Sequence, residues 1–515
     1  MAATRTEKDS MGAMDVPADA SYGAQTERAR RNFQISGLRF PRPFLRALGL
    51  IKKAAAQVNM DLGLLRDDLG DAILQAAQAI IDGRLDDQFV VDVFQTGSGT
   101  STNMNTNEVI AGIANAHFND GKRGGTAPVH PNDAVNLGQS SNDVIPTAIH
   151  VSALEEIEKR LIPALQELRE RLDERAKAFD HVVKIGRTHL QDAVPIRLGQ
   201  EFSGYAEQAS QGILRLRSCS QSLRELAIGG TAVGTGMNTH PDFGPRVVAL
   251  LSQETGLTFR PASNPFEAMA GRDAAVETSG ALKTVAVSLS NIANNIRWLA
   301  SGPRCGIAEI HIPELQPGSS IMPAKVNPVI PEAVMMVAAQ VVGNDATITW
   351  ANALGSNFEL NVMMPVIAFN LLQSIELLTN AVNHLTKKCV DASAFLEGKS
   401  IDGVTRIEAD ESRCREMIER SLAMCTALAP RIGYDNAAAV ARKAYHDGVN
   451  VRAVAEGLVG KSAEEFESTL GPPASAKILE QKGGYPPLDE IRQLLEPLRQ
   501  TECERGEESG RGSSR

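Results

Sequence analysis

The sequence predicts an all-α protein of several domains, and three observations carry that expectation. The apolar residues Leu154, Ile157, Leu161, Leu165, Leu168, Leu172, Ala176 and Phe179 advance by threes and fours, one stripe of a long helix. Four further long helical stretches follow, at roughly 196–226, 273–301, 330–350 and 361–390. The 515 residues exceed what one ordinary core holds, so two or three domains are expected.

Along the chain, the first 140 or so residues read as mixed helix and loop, ending in a polar region rich in Gly and Asn. Pro163 lies inside the first long stripe and should kink it. The stretch "AAVETSGALKTVAVSLSNIANNIRWLA" carries few charges on any face. A helix apolar nearly all round is buried on all sides, and one subunit struggles to bury several, so an oligomer is expected. Shorter helical segments follow residue 395, then "LGPPASAK" and a charged tail whose last residues, "ECERGEESGRGSSR", read as disordered.

Composition excludes several classes. Hydrophobic residues make up 43% and charged residues 22%, a globular balance, and the net charge of −10 argues against nucleic acid and anionic membranes. The six cysteines (Cys219, Cys305, Cys389, Cys414, Cys425, Cys503) are scattered without a C-x-x-C pair. They suggest neither a zinc site, a cluster nor a disulfide framework, and point to a reducing, cytoplasmic compartment. "MAATRTEKDSMG" has no apolar signal core, and the most apolar segments are interrupted by Asn, Gln and Pro, so no membrane span is expected. Nucleotide-binding glycine patterns, H-E-x-x-H and G-x-S-x-G are absent from the sequence.

Four polar segments interrupt the helical pattern: Thr96–Glu108, His130–Asp143, Gly186–Pro195 and Pro317–Glu332, "PGSSIMPAKVNPVIPE". The last holds four prolines and reads as an irregular loop of the kind that carries function. Each lies at or near an expected helix start, where free backbone N–H groups suit anions. Ser140, Ser141, Asn142 and Asp143 read equally well as N-cap chemistry. Together, neutral donors with Lys325 and His189 suit a small dicarboxylate.

The loop "GSSIMPAKVNP" (318–328) is similar to the signature of the aspartase/fumarase superfamily. The likeness runs from "TEKDSMG" at Thr6–Gly12 to about residue 470, through "TGSGTSTNMNTNEV", "HPND", "QSSND", "VKIGRTHLQDAVP", "GGTAVGTGMNTHP", "ASGPRCGIAEI" and "SNFELNV". Within the superfamily the chain resembles the class II, metal-free fumarate hydratases. That resemblance implies a three-domain fold whose central five-helix bundle forms a twenty-helix core in a homotetramer. The expected segments are an N-terminal domain 1–139, a central bundle 140–395, a small helical domain 396–475 and an extra tail 476–515.

The implied reaction interconverts fumarate and L-malate without cofactor or metal. The resemblance places Ser319 as the base, supported by Lys325, and His189 with Glu332 as the acid. Ser98, Thr100, Ser140, Ser141, Asn142, Thr188, Ser320, Lys325 and Asn327 match substrate-binding positions. His130, Asn132 and Asp133 match a second dicarboxylate site. Active sites shared between three subunits are implied as well. Two alternatives stand beside this reading. Aspartate ammonia-lyase shares the fold and serine base, and "QDAVPIRLGQEF" and "AKVNPVIPE" lean that way, whereas "TGSGT", "HPND" and "QSSND" are the fumarase forms. A catalytically silent helical scaffold would lack Ser319, His189 or Lys325, and all three are present.

Overall fold

The computed structural model describes residues 3–400 and 402–502; Cys503 and the remainder of the tail lie outside the described residues. The chain is mostly helical. It opens with an antiparallel hairpin, β1 (Thr4–Asp9) and β2 (Gly12–Pro17), where mixed helix and loop were expected. Then come α1 (Ala24–Asn32), α2 (Arg42–Asp61), α3 (Asp67–Ile81), α4 (Thr100–Phe118), α5 (Ser141–Glu156) and α6 (Ile162–Ala178). A second hairpin, β3 (Val183–Thr188) and β4 (Gln191–Arg197), leads into α7 (Leu198–Cys219). After it run α8 (Phe243–Thr255), α9 (Pro265–Ala270), α10 (Asp273–Leu299), α11 (Val329–Gly355) and α12 (Met364–Leu385).

The five long helical stretches are present close to their expected bounds. Just before Pro163, where a kink was expected, the helix passes through a π-helical turn, Ile157–Leu161, that joins α5 to α6. Proline has no N–H to donate, and the wider turn absorbs the missing bond. Among the described residues, one helical stretch, Met364–Val390, is long and apolar enough to cross a membrane. It is a core helix here: Ile367, Leu371, Ile375 and Val382 are fully buried.

The chain forms two compact units, and the expected central segment 140–395 contributes to both. One unit comprises 1–166, 209–291 and 333–383. Its core includes Phe44, Leu48 and Ile51 of α2, Ile73 and Ile80 of α3, and Val144 and Ala148 of α5. Here α4 is unusual, since Thr102, Asn103, Asn105, Thr106, Asn107 and Asn115 are all buried. Buried polar groups demand partners, so this helix serves as an internal hydrogen-bonding rod.

The other unit comprises, among the described residues, 167–208, 292–332, 384–400 and 402–502. Its core gathers Ile418, Leu428, Ile432, Val440 and Phe466 around Ile185 of β3. Leu479, Ile491 and Leu495 join the same cluster. Residues 476–502 of the expected tail are therefore folded, with short helices at Ala476–Gln481 and Leu488–Leu494. The partly buried Tyr485 and Leu494 pack against the same cluster and help to dock the segment.

Candidate active site

In the first unit, the polar groups cluster at the starts of α4 and α5. Gly99, at φ +74°, turns the chain so that Thr100 begins α4, and Ser98 Oγ lies 2.8 Å from Thr100 Oγ1. Ser140 is the N-cap of α5: its hydroxyl accepts from Asn142 N at 3.2 Å, while Asp143 accepts from Ser140 N at 2.9 Å, a capping box. Ser141 accepts from Asn103 Nδ2 at 3.0 Å, and Asn142 Nδ2 donates to Ala232 O at 2.8 Å. The N-cap reading and the binding-site reading thus describe the same residues.

Asp143 organises this corner. It is fully buried and also accepts from Gly229 N (3.1 Å) and Thr231 N (2.9 Å), tying "GGTAVGTG" to the start of α5. A cavity of about 320 Å³ runs along that glycine-rich segment. Lys52, equally buried, donates to Asn136 Oδ1 and Gln139 Oε1, each at 2.9 Å. Burial raises the Asp143 carboxyl to about 7 and lowers the Lys52 ammonium to about 7, and the attraction between the two groups opposes both shifts.

His130 caps the π-helical turn Pro131–Val135. Its Nδ1 accepts from Asn132 N (3.2 Å) and Asp133 N (3.1 Å), which leaves that nitrogen unprotonated and Nε2 as the N–H. His130, Asn132 and Asp133 are together at one turn, with the latter two side chains exposed.

In the second unit, the loop before α11 is closed on itself. Gly318 N donates to Lys325 O at 2.7 Å, and Asn327 Nδ2 donates to Gly318 O at 2.7 Å. A Cβ at Gly318 would stand 2.7 Å from Lys325 O and 2.8 Å from Asn327 N, so only glycine fits. Held this way, Ser319 Oγ accepts from Met322 N at 2.9 Å and Ile321 N at 3.2 Å. Ser320 and the Lys325 side chain are exposed.

The segment carrying His189 is a β-hairpin that runs directly into the start of α7. His189 and Leu190 form its two-residue turn at φ +57° and +58°, with Thr188 paired to Gln191. Two positive φ values in succession mark a type I′ turn, whose twist matches paired strands. Thr188 and His189 are exposed at the tip. Among the described residues of the single chain, no hydrogen bond or ion pair joins His189 to Glu332.

Arg187, two residues before His189, was not singled out from the sequence. Its guanidinium meets the fully buried Glu309 in two parallel bonds of 2.8 and 2.9 Å. Lys184 Nζ adds 3.2 Å to Glu309 and 3.1 Å to Glu201. Both partners sit in quoted motifs, "GRTH" and "GIAEI", but 122 positions apart.

Two family models match the chain: "Lyase" over residues 12–343 and "Fumarase C C-terminus" over 424–474. The chain is 52% identical over 469 residues to "Fumarate hydratase class II" of Neisseria meningitidis, covering 91% of this chain and 98% of that protein. It is 54% identical over 478 residues to the same-named protein of Mycobacterium tuberculosis, covering 92% and 96%. The chain belongs to the class II fumarate hydratase family. The crystal structure of recombinant class II fumarase from Schistosoma mansoni superimposes with a TM-score of 0.86 at 36% identity, over 97% of this chain and 99% of that one. Class II fumarate hydratases are hydro-lyases of the aspartase/fumarase superfamily, and the helical architecture here is theirs.

Proposed function

We propose that the protein hydrates fumarate to L-malate reversibly, by anti addition and elimination of water. Ser319 carries this proposal. A serine hydroxyl is a poor base, and its alkoxide needs preorganised donors. The Ile321 and Met322 N–H groups already point at Ser319 Oγ. The exposed Lys325 ammonium supplies the positive charge.

In the direction of dehydration, Ser319 removes the C3 proton of malate. The dianionic aci-carboxylate is held by Lys325, Asn327 and Ser320. His189, partnered by Glu332, then gives the departing C2 hydroxide a proton and water leaves. Imidazole titrates in the range that such transfer requires. Ser98, Thr100, Ser140, Ser141, Asn142 and Thr188 orient the substrate through neutral hydrogen bonds. His130, Asn132 and Asp133 form the second dicarboxylate site.

The proposed working form is a cytoplasmic homotetramer with sites shared between three subunits. On α11, Met336, Trp350 and Leu354 are more than half exposed in the single chain, which supports burial against other copies. The proposed chemistry uses no metal.

Fumarate absorbance, followed with malate and separately with aspartate, tests the assignment. Malate is expected to be favoured by roughly four powers of ten in kcat/KM, because sites built for one polar group discriminate strongly. Comparable values, or faster ammonia release, would assign the chain to the aspartases.

A further inference from the structure

We infer that the C-terminal stretch Pro487–Glu502 is a brace that sets the position of the hairpin bearing His189, with Arg197, Gln200 and Thr501 as positioning residues. This stretch lies beyond the matched C-terminal family segment, which ends at residue 474. The inference rests on His189 being the proton donor proposed above.

A two-stranded hairpin is marginally stable alone, so whatever grips its base fixes where its tip stands. On the β3 side, the grip comes from Ile185 in the core and from the Arg187–Glu309 clamp. On the β4 side it comes from the C-terminal stretch. Arg197, the last residue of β4, donates through Nη1 to Thr501 Oγ1 and Glu502 Oε1, both at 3.1 Å. Its Nε reaches Asp180 Oδ1 at 3.0 Å. Gln200 closes the ring: its Oε1 accepts from Arg197 N and its Nε2 donates to Thr501 O, each at 3.0 Å.

The brace is itself anchored. Ile491 and Leu495 are buried in the same cluster as Ile185, and Arg452 Nη2 donates to Leu495 O at 2.8 Å. Thr501 ends a 3₁₀ turn, Pro497–Thr501, and is largely buried. A rigid line therefore runs from the C-terminal core through Thr501 to β4 and on to the His189 turn. Proton transfer depends steeply on such placement, since a misplacement of about 1 Å costs on the order of 100-fold in rate.

The test uses Thr501→Val, Thr501→Ser, Arg197→Met and a chain ending at Glu496, which retains Ile491 and Leu495. Thr501→Val, Arg197→Met and the truncation are expected to lower kcat about tenfold or more at nearly unchanged KM. They should also shift the limb of the kcat–pH profile set by His189 and speed amide exchange across 188–192 in the folded protein. Thr501→Ser, which keeps the hydroxyl, should behave as wild type. Wild-type kcat, pH profile and exchange in Arg197→Met and Thr501→Val would overturn the brace. So would a lowered melting temperature alone, with unchanged turnover per folded enzyme. If the wild-type protein fails to hydrate fumarate, the functional proposal falls, and the exchange measurement still decides whether residues 497–502 hold the hairpin.

Discussion

Arg187 holds Glu309 by two parallel hydrogen bonds, Nη1 to Oε2 at 2.8 Å and Nη2 to Oε1 at 2.9 Å, around a carboxylate that water does not reach. The fork is charge-assisted and sits two residues from the His189 turn. Lysine reproduces the charge but not the geometry. Arg187→Lys is expected to cost about 2 kcal/mol of stability and to lower turnover. Denaturant unfolding and fumarate absorbance on the same sample check both.

Ser319→Ala removes one hydroxyl from a loop whose other closures, Gly318 N to Lys325 O and Asn327 Nδ2 to Gly318 O, remain. Turnover should fall by roughly 10²–10⁴-fold with the melting temperature nearly unchanged. Most of the wild-type rate surviving in this variant would remove Ser319 from the base role. Gly318→Ala should also impair turnover, since the added Cβ forces Lys325 O and Asn327 N apart.

Asp92 gives a pH signature. Burial pushes its carboxyl up, but bonds from Phe94 N, Ser36 Oγ, Ser36 N and Gly37 N win and hold it at about 2. The folded value lies below the unfolded one, so the stabilisation is present above the ordinary carboxylate range and is lost as pH falls through about 2. A shift of this size corresponds to about 2 kcal/mol. Asp92→Asn should therefore destabilise at pH 7, and its deficit against wild type should shrink steadily in unfolding curves taken at decreasing acid pH.

Chelation provides a further test. Incubation with EDTA, or exposure to air, is expected to leave fumarate hydration unchanged. Activity lost under either treatment and restored by iron would overturn the metal-free mechanism.

Assembly is checked by light scattering combined with activity across a dilution series. The tetramer is expected to persist wherever turnover is seen. An active monomer would contradict the sharing of sites between subunits, and the exposed Trp350 and Leu354 would then need another account.

The long helices were legible in the sequence because helical periodicity is local: each apolar residue three or four positions on reports the same face. The polar cluster at 140–143 was legible for a related reason, since N-cap chemistry is written within four residues. The loop 318–328 was legible through its prolines and its motif. Tertiary structure alone decided the rest. His189 and Leu190 are not glycines, yet strand pairing at 183–197 forces both to positive φ, and no neighbouring residue announces that. Residues 476–502 look like a polar tail until Leu479, Ile491 and Leu495 find a core assembled from distant segments. Arg187 and Glu309, separated by 122 positions, became partners because a buried carboxylate requires a cation and only the folded chain brings one to it.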